Sequence, residues 1–305
     1  MEESKFKISS DCISKDENGG RFIEERNPGG FSMKYEITEV LYSKKSPFQK
    51  VEVVQSVGHG RMLLNDGLVM VSERDEYIYH EMIAHVPLFT HPCPKRVLVI
   101  GGGDGGTARE VLRHSSVEHC EMVEIDGLVV EACREFIPLT AKGMEESDRF
   151  TLHIADGVDF VKQKAKSKVD LYDVIIVDST DPIRPAQPLF GVEFYQNVYN
   201  SLNENGIVVS QAESVFYYDE VQKKIAEVLS GLFPKLRFYN FSNLTYPGGL
   251  WSFSFASKRL DPVKDFNPNK VKESGIKTKY YNEFVHKACF QLPEFQAQML
   301  KPYTK

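Results

Sequence analysis

The chain has 305 residues, 42% hydrophobic and 26% charged, and its 37 Lys and Arg against 43 Asp and Glu leave a net charge of −6. Those proportions are ordinary for a globular protein and give room for one large domain, alone or with a smaller one. The acidic balance argues against duplex DNA or RNA, whose backbones need clustered Lys and Arg, and suits a cationic small molecule better.

Residues 1–20 are polar, mixed in charge and without the apolar core of a signal peptide, and read as a poorly ordered tail. A β-rich stretch over residues 21–75 follows. Met33–Ile37, Val51–Val54 and Arg61–Leu64 alternate, and Gly58, Gly60 and Asp66-Gly67 mark turns. Tyr77–Val86 reads as a helix that stops near Pro87. Residues 21–90 are therefore expected to form a small antiparallel β domain.

From residue 91 the pattern changes to alternating strands and helices. Arg96–Ile100, Cys120–Ile125, Phe150–Ile154, Tyr172–Val177 and Gly206–Ser210 read as buried strands. Helical segments at 106–114, Leu128–Phe136, Gly157–Lys166, Glu193–Leu202 and Glu220–Leu229 separate them. This alternation predicts an α/β fold with a doubly wound, mostly parallel sheet. Late strands near Arg237–Phe241 and Trp251–Ala256 complete it, and residues 258–305 read as a peripheral wrap within the 91–305 domain. The five cysteines are widely spaced without a CxxC pair, so neither a disulfide framework nor a zinc ribbon is expected. With no apolar run of about 18 residues, the chain reads as cytoplasmic, reduced and without a membrane partner.

Gly101-Gly102-Gly103-Asp104-Gly105-Gly106 falls between a predicted strand and a predicted helix, the context in which glycines let a backbone approach a nucleotide or nucleoside. No Gly-Lys-Ser/Thr follows, and Asp104 would repel a pyrophosphate, so a cationic nucleoside such as a sulfonium fits better. Glu124 stands 23 residues past Gly101, where an acid grips a ribose diol; a solvated strand-end carboxylate is the alternative. Asp156-Gly157 is placed to meet an adenine amino group, though Asp156 could equally cap a helix. Asp178 and Asp181 follow the next strand. Four carboxylates at one sheet edge, Asp104, Glu124, Asp156 and Asp178, repel one another unless a cation or proton relieves them. An alkylammonium acceptor must lose a proton before it attacks the CH₂ beside a sulfonium. Asp178 and Asp181 can divide proton acceptance and cation binding between them.

These stretches, together with Ser46–Gln49, Asp75–Met82, Gln211–Ser214 and Thr245–Gly249, resemble the spermidine synthase family over about residues 21–295. The resemblance implies a methyltransferase-like catalytic domain behind a small N-terminal β domain. It also implies aminopropyl transfer from decarboxylated S-adenosylmethionine to a diamine such as putrescine, without a metal or other cofactor. Asp178 would be the general base, with Asp181 beside it on the amine, and Asp104 would hold the aminopropyl ammonium. Gln49, Glu124, Asp156, Gly157 and Pro185 fall on the donor side. Tyr79, His80, Gln211 and Tyr246 fall on the polyamine side. The family forms homodimers and some homotetramers. Arg21, Arg184 and Gly248 stand where the family commonly has Trp, Gly and Ser. A diamine N-methyltransferase using intact S-adenosylmethionine and a non-catalytic polyamine-binding protein are the rival readings. His80 and His85 also suggest a zinc helix. Five residues apart they point about 140° away from each other, which argues against a shared metal.

Overall fold

The computed structural model describes residues 12–15, 17, 19–27, 30–142, 144, 147–180 and 184–304, with the side chains of residues 184–186 excepted. Its first sheet runs β1 (Ile13–Lys15), β2 (Arg21–Asn27), β3 (Phe31–Lys45), β4 (Lys50–Ser56), β5 (Arg61–Asn65) and β6 (Leu68–Ser72), each antiparallel to the next in chain order. Asp66 and Gly67 turn the β5–β6 hairpin with φ of 51° and 85°, the mirror-image turn that matches strand twist. The tail expectation fails at Ile13–Lys15, which pair with Arg21–Ile23 while Cys12 packs beside Ile23. Three strand residues are too few for a periodicity to show.

Helix α1 (Glu76–Thr90) links the sheets and continues through Pro87 rather than stopping there. Proline removes one helical hydrogen bond. Every residue from Ile78 to Thr90 is buried, however, and packing holds the last turn in place.

The second sheet is built from β7 (Arg96–Gly101), β8 (His119–Glu124), β9 (Phe150–Ile154), β10 (Tyr172–Asp178), β11 (Leu202–Ser214), β12 (Lys235–Ser242) and β13 (Leu250–Ser257). Its order is β12-β13-β11-β10-β7-β8-β9, parallel except at β13, which runs against both neighbours. The intervening helices are α2 (Gly106–Leu112), α3 (Gly127–Phe136), α4 (Pro138–Ala141), α5 (Gly157–Ser167), α6 (Val192–Ser201) and α7 (Asp219–Leu232). Along β7, Val97 and Val99 join the core on the α1 and α2 side, while Leu98 and Ile100 join the core under α5, α6 and α7. Burial on both faces explains the unbroken apolar runs in the sequence. The first sheet lays Tyr42, Val53, Leu63 and Val71 against Val129, Ala132 and Cys133 of α3.

The C-terminal wrap carries α8 (Pro268–Glu273), α9 (Glu283–Ala288) and α10 (Glu294–Leu300). Buried polar groups tie it down. The Glu81 carboxylate accepts the backbone N–H groups of Lys279, Tyr280 and Tyr281, each at 2.8 Å. Gln296 donates to Gln222 at 3.1 Å and accepts from Asn240 at 2.7 Å. Among the described residues no helix is long and apolar enough to cross a membrane.

Glu81→Gln keeps the shape but removes the charge and replaces one accepting oxygen with an NH₂ donor, so at least one of the three N–H groups loses its acceptor. Hydrogen bonds to charged groups contribute about 1.5–3 kcal/mol, so we expect a loss of about 2–3 kcal/mol, read as a lower urea midpoint at constant slope. A midpoint equal to wild type would show that the wrap does not depend on this anchor.

Candidate active site

Between β7 and β10 the strand order reverses, with β8 and β9 on one side and β11 on the other. Open α/β sheets take ligands at such a point, beyond the carboxyl ends of the strands. Asp178, the last residue of β10, pairs with Gly101, the last of β7. Gly102 N–H donates to the Asp178 carbonyl at 2.9 Å. Gly101 has a φ of 82°, and a side chain there would collide with that same carbonyl, so glycine is needed on both counts.

Both carboxylate oxygens of Asp178 are engaged. Tyr79 Oη donates to Oδ1 at 2.7 Å, and Thr107 Oγ1 donates to Oδ2 at 2.6 Å. Burial and the nearby Asp104 push the Asp178 carboxyl above the usual range, while His80 and the two hydroxyls pull it down.

His80 sits between two acids. Its Nδ1 lies 2.6 Å from Glu76 Oε2, one helical turn earlier, and its Nε2 lies 3.2 Å from Asp104 Oδ1. Arg109 of α2 holds Glu76 from the other side, with contacts of 2.8 and 3.3 Å. Burial disfavours charge on the ring, but Asp104 and Glu76 outweigh it and lift the imidazole to about 10. With a carboxylate on each nitrogen, the ring is placed to donate from both. His80, Asp104 and Asp178 bring ligand-type atoms within 4.8 Å of one another.

Glu124 ends β8 and is 8% exposed. It accepts the Asp126 N–H at 2.9 Å, and burial raises its carboxyl to about 7. A methyl group on Gly103 would stand 2.9 Å from Glu124 Oε2, so the loop lies flat against this acid. Asp156 accepts the Val158 N–H at 2.8 Å and caps α5, and it also lines the cavity. From the first sheet, Gln49 Nε2 donates to Asp126 Oδ2 at 3.0 Å and Ser46 Oγ to the same oxygen at 2.7 Å. Gln211 Nε2 donates to Glu213 Oε1 at 3.2 Å, and Tyr246 Oη to the Met70 carbonyl at 2.7 Å.

Gln49, Tyr79, His80, Asp104, Glu124, Asp156, Gly157, Asp178, Gln211 and Tyr246 line one cavity of about 350 Å³. Asp181 lies outside the described residues, as do the side chains of Arg184 and Pro185. His80 was expected on the polyamine side. It is 2% exposed and commits both nitrogens to carboxylates, so it acts on the cavity through Asp104.

Residues 76–267 match the spermine/spermidine synthase domain, and residues 21–73 match the spermidine synthase tetramerisation domain. The chain belongs to the spermine/spermidine synthase family. A polyamine aminopropyltransferase of Clostridium botulinum (strain Alaska E43, type E3) is 48% identical over 262 residues, covering 85% of this chain and 90% of that one. One from Clostridium beijerinckii is 46% identical over 276 residues, covering 90% and 95%. A crystal structure of spermidine synthase with the transition-state analogue AdoDATO superposes with a TM-score of 0.89 at 40% identity, covering 99% of this chain and all of that one. The spermidine synthase of Thermotoga maritima gives 0.85 at 41% identity, covering 92% and 95%.

In this member of the spermine/spermidine synthase family, several site residues lie beyond what the sequence showed. Glu76 was within reach, since it is spaced one turn from His80. Asp126, at the end of a strand and before a glycine, carried the same signal as Asp156. Arg109 reaches Glu76 through the packing of α2 on α1, and Thr107 reaches Asp178 from the start of α2 to the end of β10. Glu213 lines the cavity from a left-handed backbone at φ 68°, which no local pattern announced. Trp251 is at once core and cavity wall, donating Nε1–H to the Pro247 carbonyl at 2.8 Å.

A methyl group on Gly106 would overlap the His80 ring. Gly106→Ala is therefore expected to destabilise the protein by about 1–3 kcal/mol, the usual cost of overpacking, and to perturb the His80 imidazole NMR signals. Unchanged signals and stability would show that the ring has room to move.

Proposed function

We propose that the chain transfers the aminopropyl group of decarboxylated S-adenosylmethionine to putrescine, giving spermidine and methylthioadenosine. One observation carries this reading. Asp104 and Asp178 face the same buried cavity, at the glycine-loop end of the sheet, close enough to serve one cation. The relatives' shared name, polyamine aminopropyltransferase, supports it.

In this scheme Glu124 accepts the ribose hydroxyls, and Asp156-Gly157 and Pro185 flank the adenine. Gln49, oriented by Asp126, borders the donor, and Asp104 takes its ammonium. Tyr79, Gln211 and Tyr246 line the path of the amine, with Asp181 as a second carboxylate beside it. Asp178 accepts the proton that the acceptor ammonium must lose. The freed nitrogen lone pair attacks the CH₂ next to sulfur, the C–S bond breaks, and its electron pair returns to sulfur. Positive charge thus moves from sulfur to nitrogen, towards fixed carboxylates that favour the shift. The sulfonium is already an activated leaving group, so the scheme uses no metal or further cofactor. Intact S-adenosylmethionine would bring its own carboxylate towards Asp104, which disfavours the methyltransferase alternative. The match of residues 21–73 supports a homo-oligomer, dimer or tetramer, assembled through the first sheet. We place it in the cytoplasm.

Incubation with decarboxylated S-adenosylmethionine and a mixture of amines should yield methylthioadenosine and mainly spermidine by mass spectrometry. Without methylthioadenosine from any amine the reading fails. Asp178→Asn should lower turnover by about 10²–10⁴-fold, the usual contribution of a general base, while methylthioadenosine still binds. Unchanged turnover would remove Asp178 from that role. Burial raises Glu124 to about 7, and only its ionised form accepts both ribose hydroxyls. Methylthioadenosine should therefore bind more tightly as pH rises through about 7 and then level off. Glu124→Gln should abolish that pH dependence and weaken methylthioadenosine binding above that pH, and a variant that binds as tightly as wild type at high pH would contradict the ribose assignment.

A further inference from the structure

Thr107 has no place in the scheme above, yet it touches the proposed base directly. It is the second residue of α2 and fully buried. Its Oγ1 donates to Asp178 Oδ2 at 2.6 Å, while Tyr79 holds the other oxygen. The loop leading to Thr107 leaves it little freedom. Gly105 N–H donates to the Gly102 carbonyl at 2.8 Å, and Gly106 N–H donates to Asp104 Oδ1 at 2.9 Å. A β-branched side chain with a restricted χ1 then carries the hydroxyl. Thus one loop sets both Asp104 and the hydroxyl that meets Asp178.

We infer that Thr107 is a positioning residue for the base, holding one Asp178 oxygen in place and stabilising the ionised form that must receive the amine proton. The inference rests on the aminopropyl-transfer reading. The groups around Asp178 make such help necessary. Asp104 opposes its ionisation from the loop after β7, and Glu124, at the end of β8, repels the same carboxylate. His80 and Tyr79 favour it from α1, and Thr107 favours it from α2. Tyr79 also walls the amine path, so its hydroxyl serves two tasks. Thr107 is the donor whose hydroxyl is engaged with Asp178 away from the cavity lining.

Thr107→Val removes the hydroxyl and keeps the branching, and Thr107→Ser keeps the hydroxyl. A hydrogen bond to a charged group corresponds to about one pKa unit or more. Losing the donor makes Asp178 harder to ionise. In Thr107→Val the acidic limb of kcat/KM for the amine should therefore move up by about one pH unit. Below that limb, kcat/KM should fall about tenfold, while methylthioadenosine binds as in wild type. Thr107→Ser should return the limb towards its wild-type position. A Val variant with the wild-type limb overturns the proposal. So does loss of methylthioadenosine binding in both variants, which would mark Thr107 as merely structural. If wild type forms no methylthioadenosine at all, the aminopropyl-transfer reading falls first and this inference with it. Wild-type turnover matched by Thr107→Val sinks only the role of Thr107.

Discussion

Carboxylates buried side by side repel one another, and the centre of this molecule is arranged around that repulsion. Asp178 ends β10 opposite Gly101 of β7, and the glycine loop that follows β7 brings Asp104 within reach of it. The sheet cannot separate them without breaking its central pairing. Relief comes from above, where α1 and α2 cross. His80 supplies a positive charge against Asp104, Glu76 and Arg109 hold that charge in place, and the Tyr79 and Thr107 hydroxyls cover Asp178. The cavity is thus prepared for cations while keeping one of its own, and a ligand ammonium completes the balance.

The same helix organises the rim. Its N-terminal neighbour Asp75 is buried and accepts hydrogen bonds from Leu244 N–H, Thr245 N–H and the hydroxyls of Ser72 and Thr245. Tyr35 of β3 donates to the Thr245 carbonyl at 2.9 Å. The loop that carries Tyr246 is therefore stitched to α1 and to the first sheet together. That places Tyr246 over the cavity beside Tyr79, with ring centres 5.9 Å apart. The first sheet contributes to the site through this loop and through Gln49, while its apolar face rests on α3.

Much of this was legible before any coordinates. The β7 and β10 runs could be placed because burial on both faces makes them almost continuously apolar. The strand-end acids stood out because four of them fall at one edge of the sheet, although each alone has an ordinary explanation such as the helix cap that Asp156 also makes. What escaped detection shares one cause. Pro87 signals a stop only where local propensity decides, and α1 is decided by packing. Ile13–Lys15 is too short to show a period. Arg109 matters through a contact between helices and Thr107 through one from α2 to the end of β10, and the backbone of Glu213 is bent by its surroundings. The wrap held by Glu81 and Gln296 depends on buried polar pairs, which leave no periodic trace in the chain.

The distance along the chain between Asp75 and its partners has a consequence for biosynthesis. Leu244 and Thr245 follow Asp75 by 169 and 170 residues. At ribosomal speeds of roughly 5–20 residues per second, that interval lasts about 10–30 s. Throughout it the carboxylate before α1 has only Ser72 of its final partners, so Asp75 must stay partly hydrated. The first sheet can close early, since each strand pairs with the next to emerge. The catalytic end has to wait for the last quarter of the chain, and a truncated product would be left with a formed β-sheet and no working pocket.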